Sequence, residues 1–382
     1  MQHGATLGHW PRLAISAVLA FSLAGCSLFN RNDVPKPAEL GPNVPVLGVR
    51  QAWASKIGGL QSMPLVVHVQ GSTVTLASGD GAVAAIDART GGDVWRANLA
   101  EPLSAGVGSD GRWAAVVSRG NELVVLEAGR EVWRKRMVSQ VYTAPLIAGA
   151  RVFVLGADRS LSAFDAKNGA RLWNLTRAGD ALALRQPGVL MAVGDTLVAG
   201  LSGRLVGLNP DNGIVRWEAP IASPRGTNDV ERLVDLVAPV SRIDSSVCVR
   251  AFQVAVGCVN ASRGTVEWVQ KANGAQGVHG TDGAVFGTES TGVVTAWKRS
   301  DGVRLWSTDR LLHRKLTAPL ALGRSVVIGD DSGMVHLLSR EDGAPLTRIA
   351  TDGTAIAATP VVAGDTLVVV TRGGSVIGYR PD

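Results

Sequence analysis

The chain has 382 residues, 46 % of them hydrophobic, and a formal net charge of +6, a profile that excludes a disordered or fibrous polypeptide and supplies ample material for a buried core. Its 46 Gly and 17 Pro set against 2 Tyr and 6 Phe predict many turns joining short Val- and Leu-rich strands, an all-β fold. The positive charge is dispersed; its densest stretch, "WRKR" at residues 133–136, reads as blunting of a strand edge, and nucleic acid is not expected as a partner.

The N-terminus stands apart from that fold. Residues 1–12 carry one Arg and two His, and residues 13–22, "LAISAVLAFS", form an apolar run too short for a comfortable membrane span before "LAGC" at residues 23–26. This arrangement reads as an export signal, and Leu-Ala-Gly-Cys resembles the bacterial lipobox, in which the Cys receives a diacylglyceryl thioether, the signal is cut before it and the new amino group is acylated. The resemblance implies a lipoprotein signal peptide over residues 1–25 and lipidation of Cys26. It also implies an outer-membrane address, because Ser27 stands where enterobacterial inner-membrane lipoproteins carry Asp. From residue 26 to 46 Pro and polar residues predict a flexible tether, and the globular body is expected over 47–382.

Within the body one pattern recurs: Asp or Asn, then Gly four residues later, then Trp four residues after that. Asp87, Gly91 and Trp95 keep it, as do Asp165, Gly169 and Trp173, then Asn209, Gly213 and Trp217, then Asn260, Gly264 and Trp268. Lys298, Gly302 and Trp306 lose only the first position; Gly129 and Trp133 follow a shortened turn; Ser339, Gly343 and Thr347 lose the Trp. An eighth copy is divided, with Trp53 supplying what the C-terminal "GGSVIGYRPD" lacks. Most copies are preceded by a small residue, Pro and apolar residues, as in "SMPLVV", "TAPLIA" and "ATPVVA". Successive Trp spacings of 42, 38, 40, 44, 51 and 38 residues match a four-stranded propeller blade. The prediction is therefore an eight-bladed β-propeller of four-stranded antiparallel blades, closed by pairing the N-terminal strand with the C-terminal blade. In each unit the Asp or Asn oxygen bonds backbone N–H groups of a tight turn, Gly takes positive φ, and the Trp opens the outermost strand to cover the gap between blades.

Cys248 and Cys258 lie ten residues apart. A turn near Gln253 would set them opposite one another on adjacent strands, either as a cross-strand disulfide or as two small buried thiols.

Motifs of catalysis are sparse. His68, His279, His313 and His336 fall in different units without Cys or carboxylate at ligand spacing, so no metal site is expected. "GVGSDG" at residues 106–111 matches a dinucleotide fingerprint in letters alone, because a strand and not a helix follows, and it reads as a hairpin turn. Neither a Gly-x-Ser-x-Gly elbow nor a phosphate-cradling loop occurs. Two insertions hold more promise, since irregular loops on a rigid ring are where binding resides. "GDALALRQPG" at 179–188 offers Leu182, Leu184 and Arg185; "GTNDVERLVDLVAP" at 226–239 offers a short helix, with Asn228 and Glu231 at capping spacing, Val230, Leu233 and Val234 on one face and Asp235 near its end.

"AAIDARTGGDVW" at residues 84–95 resembles the tryptophan-docking repeat of pyrroloquinoline-quinone (PQQ) dehydrogenases, a likeness covering the body from about residue 46. The repeat alone would suggest a periplasmic PQQ-binding quinoprotein enzyme. Such an enzyme is expected to have a catalytic Asp with calcium ligands and adjacent cysteines over the cofactor, whereas Cys248 and Cys258 are separated, so a non-catalytic protein without cofactor is expected. The lipobox, the docking repeats, Leu-x-Leu-Arg in one insertion, Arg-Leu-x-Asp in the other and "LLHRKLTAP" at 311–319 together resemble the BamB family of lipoproteins. These are subunits of the outer-membrane β-barrel assembly (BAM) machinery. The resemblance implies docking onto the periplasmic POTRA domains of BamA through Leu182, Leu184, Arg185 and Asp235, a place on the periplasmic face of the outer membrane, and assistance to nascent outer-membrane proteins. Where the family often has a second Asp, this chain has Val237.

Overall fold

The computed structural model describes residues 1–4, 35–43, 45–61, 63–177, 183–224 and 233–382. Residues 1–36 form a unit of their own, with neither strand nor helix among its described residues. In the body, residues 37–382, the described residues form eight four-stranded antiparallel sheets. In chain order these are blade 1 (68–98), blade 2 (103–136), blade 3 (146–175), blade 4 (190–220), blade 5 (236–271), blade 6 (278–308) and blade 7 (320–350). Blade 8 joins Val361–Ala363, Thr366–Val370 and Ser375–Pro381 to the strand Val49–Lys56, which pairs along its length from Val49 against Pro381 to Lys56 against Ser375. This is the predicted eight-bladed propeller with the predicted closure, and it removes the free sheet ends an open array would present.

Middle strands are apolar on both faces because each blade is covered by its neighbours. In blade 1, Thr73–Ala77 and Ala82–Asp87 bury Val74, Leu76, Val83, Ala84 and Ile86 almost completely. Outermost strands alternate instead: Asp93–Asn98 exposes every second residue. The "WRKR" stretch lies on the outermost strand of blade 2, Arg130–Arg136, where Arg134 is shared by Glu101, Glu122 and Glu131 at 2.7–2.9 Å. Its charge is thus neutralised locally. The Gly-rich stretch 106–111 differs from expectation in part: Leu103–Ser109 is strand, and only Asp110 and Gly111 turn, with the Asp110 carboxylate accepting the Arg112 and Trp113 N–H groups.

The repeat's three marked positions form one lock between blades. The first side chain accepts the N–H two residues on, as from Arg89 to Asp87 (2.8 Å), Lys167 to Asp165 (2.9 Å) and Asp211 to Asn209 (2.8 Å). The Gly then sits at φ between +69° and +81°, and onto its bare Cα the Trp of the preceding blade lays its ring. Trp53 covers Gly91, Trp95 Gly129, Trp133 Gly169, Trp173 Gly213, Trp217 Gly264, Trp268 Gly302 and Trp306 Gly343. The indole N–H donates to the carbonyl just after the first position: Trp53 to Ala88 (2.7 Å), Trp133 to Ala166 (2.8 Å), Trp173 to Pro210 (2.8 Å), Trp268 to Arg299 (2.6 Å) and Trp306 to Arg340 (2.9 Å). Thr347 explains itself in the same terms. The next blade is the composite one, whose third and fourth strands are not consecutive in sequence and so have no Gly turn on which a ring could sit.

Chain direction sorts the connections onto two faces of the ring. Turns carrying the Gly locks lie on one, here the turn face. Connections between blades and the turns between second and third strands lie on the other, the loop face. Cys248 and Cys258 are register partners on Ser246–Ala251 and Ala255–Asn260, on either side of a turn at Gln253 (φ +55°), and their sulfurs are bonded.

Two outcomes test this account. Gly213→Ala, whose Cβ would lie 2.7 Å from the Trp173 ring at φ +73°, is expected to cost about 2–3 kcal/mol in urea unfolding. Gly353→Ala, equally positive in φ but with open space around it, should cost about 1 kcal/mol; equal losses would remove the packing part of the lock. Mass spectrometry after alkylation under denaturing, non-reducing conditions should find neither Cys248 nor Cys258 labelled.

Candidate functional site

Described members of the two insertions meet on the loop face. The chain leaving blade 3 returns through residues 183–189 and is stitched to the start of blade 5. Gly188 bridges Val237, and the Ala238 N–H donates to the Pro187 carbonyl at 2.9 Å. Gly188 N–H also donates to Thr143 Oγ1 at 2.9 Å, fastening the loop to the connection before blade 3. Leu182 and most of the expected helix, residues 225–232, lie outside the described residues; Leu233 and Val234 carry no regular secondary structure, and Val234 is buried.

Asp235 is the hub of this outcrop. Its Oδ2 accepts the Leu184 N–H at 3.0 Å and its Oδ1 lies 3.4 Å from Arg159 Nη2. Arg159 stands on the turn between the second and third strands of blade 3, at φ +62°, with its side chain only 9 % exposed. Asp235 therefore positions the backbone of the Leu-x-Leu-Arg loop. Leu184 is half-buried and lines, with Tyr142, Arg159 and Asp235, a cavity of about 50 Å³. Arg185 is exposed, its guanidinium 5.7 Å from the centre of the Tyr142 ring, a stacking distance that favours a cation. Val237 is 2 % exposed. Tyr142 and Arg159 escaped sequence reading: each lies in an ordinary turn or connection, and only the fold brings them beneath the insertions.

The remaining expectations concern chemistry. A channel of about 940 Å³ runs between the innermost strands, lined by Pro64, Pro239 and Pro360 of the small-Pro-apolar marker, with Val67, Val240 and Val361. Its described lining includes His279, Arg185 and Arg372 but no carboxylate. His279 Nδ1 accepts the Ala321 N–H at 3.1 Å, and burial, followed by the Arg299 charge, holds its pKa below the ordinary histidine value. His68 is likewise lowered by burial, against the pull of Asp110. Asp330 is buried beside His336 Nε2 at 2.9 Å and Arg314 at 3.1 Å. Burial alone would raise its pKa, but hydrogen bonds from His336, Ser332 and the Met334 amide outweigh that and hold it well below the usual carboxylate range. Among the described residues no cluster of three or more His, Cys, Asp or Glu could hold a metal ion.

An eight-bladed ring of four-stranded blades locked by tryptophans defines a β-propeller of the PQQ-like repeat class. A family model described as outer membrane protein assembly factor BamB matches residues 79–308 and 310–382. The chain belongs to the BamB family. It is 38 % identical to outer membrane protein assembly factor BamB of Burkholderia pseudomallei over 374 residues, 97 % of each chain. It is 34 % identical to that of Bordetella pertussis over 363 residues, 94 % of each. The crystal structure of BamB from Moraxella catarrhalis superposes with a TM-score of 0.79 at 22 % identity, covering 87 % of this chain and 99 % of that one.

Asp235→Ala removes the acceptor of a backbone amide and the carboxylate beside a nearly buried arginine, and should cost about 1–3 kcal/mol in urea unfolding. Arg185→Ala, at an exposed position, should stay within about 0.5 kcal/mol. An unchanged midpoint in the Asp235 variant would refute its role as hub.

Proposed function

We propose that this protein is a non-catalytic outer-membrane lipoprotein, acylated at Cys26, that binds the periplasmic POTRA domains of BamA within the BAM complex and assists folding and insertion of outer-membrane β-barrel proteins. Family membership supports the assembly role and the outer-membrane association. One observation carries the docking assignment: Arg185 is presented to solvent over Tyr142 while the adjacent Leu184 amide is pinned to Asp235. An exposed arginine stacked on an aromatic ring can fork onto a carboxylate or onto backbone carbonyls of a partner, the composition of a common hot spot. Leu182 and Leu184 would add an apolar anchor beside it. Asp235 acts in this reading by holding the loop, so its substitution weakens binding through the loop's shape, whereas Arg185 contributes by contact.

Nothing in this role calls for a cofactor, a metal ion or nucleic acid. Clients would be nascent outer-membrane chains in an unfolded or partly folded state, met on the periplasmic side of the membrane.

Arg185→Ala is expected to weaken capture of the purified BamA POTRA domains tenfold or more, about 1.4 kcal/mol or above, with the unfolding midpoint unchanged. Asp235→Asn, which keeps an acceptor for the Leu184 amide, should retain more binding than Asp235→Ala. Undiminished capture by both Arg185→Ala and Asp235→Ala would remove the site.

A further inference from the structure

The segment expected to be free tether is fastened down at Ala38, Leu40, Gly41, Asn43 and Val46. The Ala38 N–H donates to the Leu312 carbonyl at 2.9 Å, and the Ala38 carbonyl accepts from Arg314 Nη2 at 2.9 Å. Further along, the Leu40 and Gly41 carbonyls accept from the two ends of the Arg348 guanidinium, each at 3.1 Å. Asn43 Nδ2 donates to the Arg348 carbonyl at 2.9 Å, and the Val46 N–H to the Leu346 carbonyl at 2.7 Å. Leu40 packs on the cluster of Phe286, Leu311, Leu316 and Ile328, and Leu47 on that of Val327 and Tyr379.

These contacts have a direction. Leu312 and Arg314 lie in the connection between blades 6 and 7, on the loop face, while Val46 leads into Val49–Lys56, which starts on the turn face. From Ala38 through Asn43 to Val46 the contacts thus run antiparallel to the outermost strand of blade 7, Pro345–Ala350, and cross from the loop face to the turn face. Without them, the chain N-terminal to Val49 would emerge on the turn face, opposite Arg185 and Asp235. The segment covers the one outermost strand in blades 1 to 7 that has Thr347 in place of the locking tryptophan.

We infer that residues 38–43 with 45 and 46 are an intramolecular clasp, seated on the edge of blade 7, so that the body's own chain begins on the same face of the ring as the docking loops. The functional consequence rests on the docking reading: lipid anchor and BamA would hold the ring from one side, leaving the turn face unencumbered.

The test uses the full lipidated protein in detergent, spin-labelled at the exposed Glu39→Cys with either Asp331→Cys on the loop face or Glu341→Cys on the turn face. The distance from 39 to 331 is expected to be the shorter and the narrower in distribution. Arg314→Ala combined with Arg348→Ala should broaden both and expose residues 38–46 to limited proteolysis. Broad distributions in the otherwise unmodified protein, or a shorter distance to 341, would overturn the clasp. These distances are independent of BamA capture, so loss of the clasp leaves the docking assignment standing, and loss of docking leaves the clasp.

Discussion

An indole ring laid on a glycine of the next blade is the interaction on which the rest of this structure depends. Each blade is a sheet with two apolar faces, and a sheet of that kind is stable only when both faces are covered. Strand pairing supplies order within a blade but, apart from isolated bridges such as Gly188 to Val237, little between blades. The tryptophan supplies the second: a ring of this size buries on the order of 150–250 Å² and contributes roughly 4–6 kcal/mol of transfer free energy where burial is complete. Its single N–H reaches a carbonyl of the neighbouring turn, as from Trp173 to Pro210 at 2.8 Å. The register between neighbours is fixed by the same contact, because only a residue without Cβ at positive φ leaves room for the ring.

That constraint explains what the sequence revealed. Asp or Asn, Gly and Trp sit at fixed offsets because one turn must hold its own backbone, expose a bare Cα to the previous blade and send a ring to the following one. Each requirement selects a residue type, so the unit survives in letters. Even its failures are informative: Lys298 cannot accept a hydrogen bond, yet its turn keeps the repeat's other one, Asp301 accepting the Val303 N–H at 3.1 Å as Asn168 accepts that of Ala170 at 2.8 Å. Thr347 marks the junction with the composite blade. Count, strand class and closure were all legible for this reason.

Less of the candidate site could be read. Leu184, Arg185 and Asp235 were found because they stand in insertions that interrupt a regular spacing. Which of them touches which was not available, since Asp235 meets Arg159, a residue 76 positions away, through a fold that no local pattern reports. Composition misled in one place. Residues 38–46 are as rich in Pro and polar groups as a linker, yet the Ala38, Leu40 and Gly41 carbonyls are held by Arg314 and Arg348, and carbonyls leave no trace in a sequence.

The composite blade sets a constraint on the order of assembly. Val49–Lys56 emerges early during synthesis and finds its partner strand, Ser375–Pro381, only when nearly the entire polypeptide is present. Until then Trp53 can rest on Gly91, but the strand that carries it has no sheet of its own. Pairings of such sequence separation are reached slowly, and the unpaired edge is open to association meanwhile. A ring sealed by its first and last strands is thus complete or not at all, and a chain halted partway presents an open fan of blades to whatever chaperones and proteases surround it.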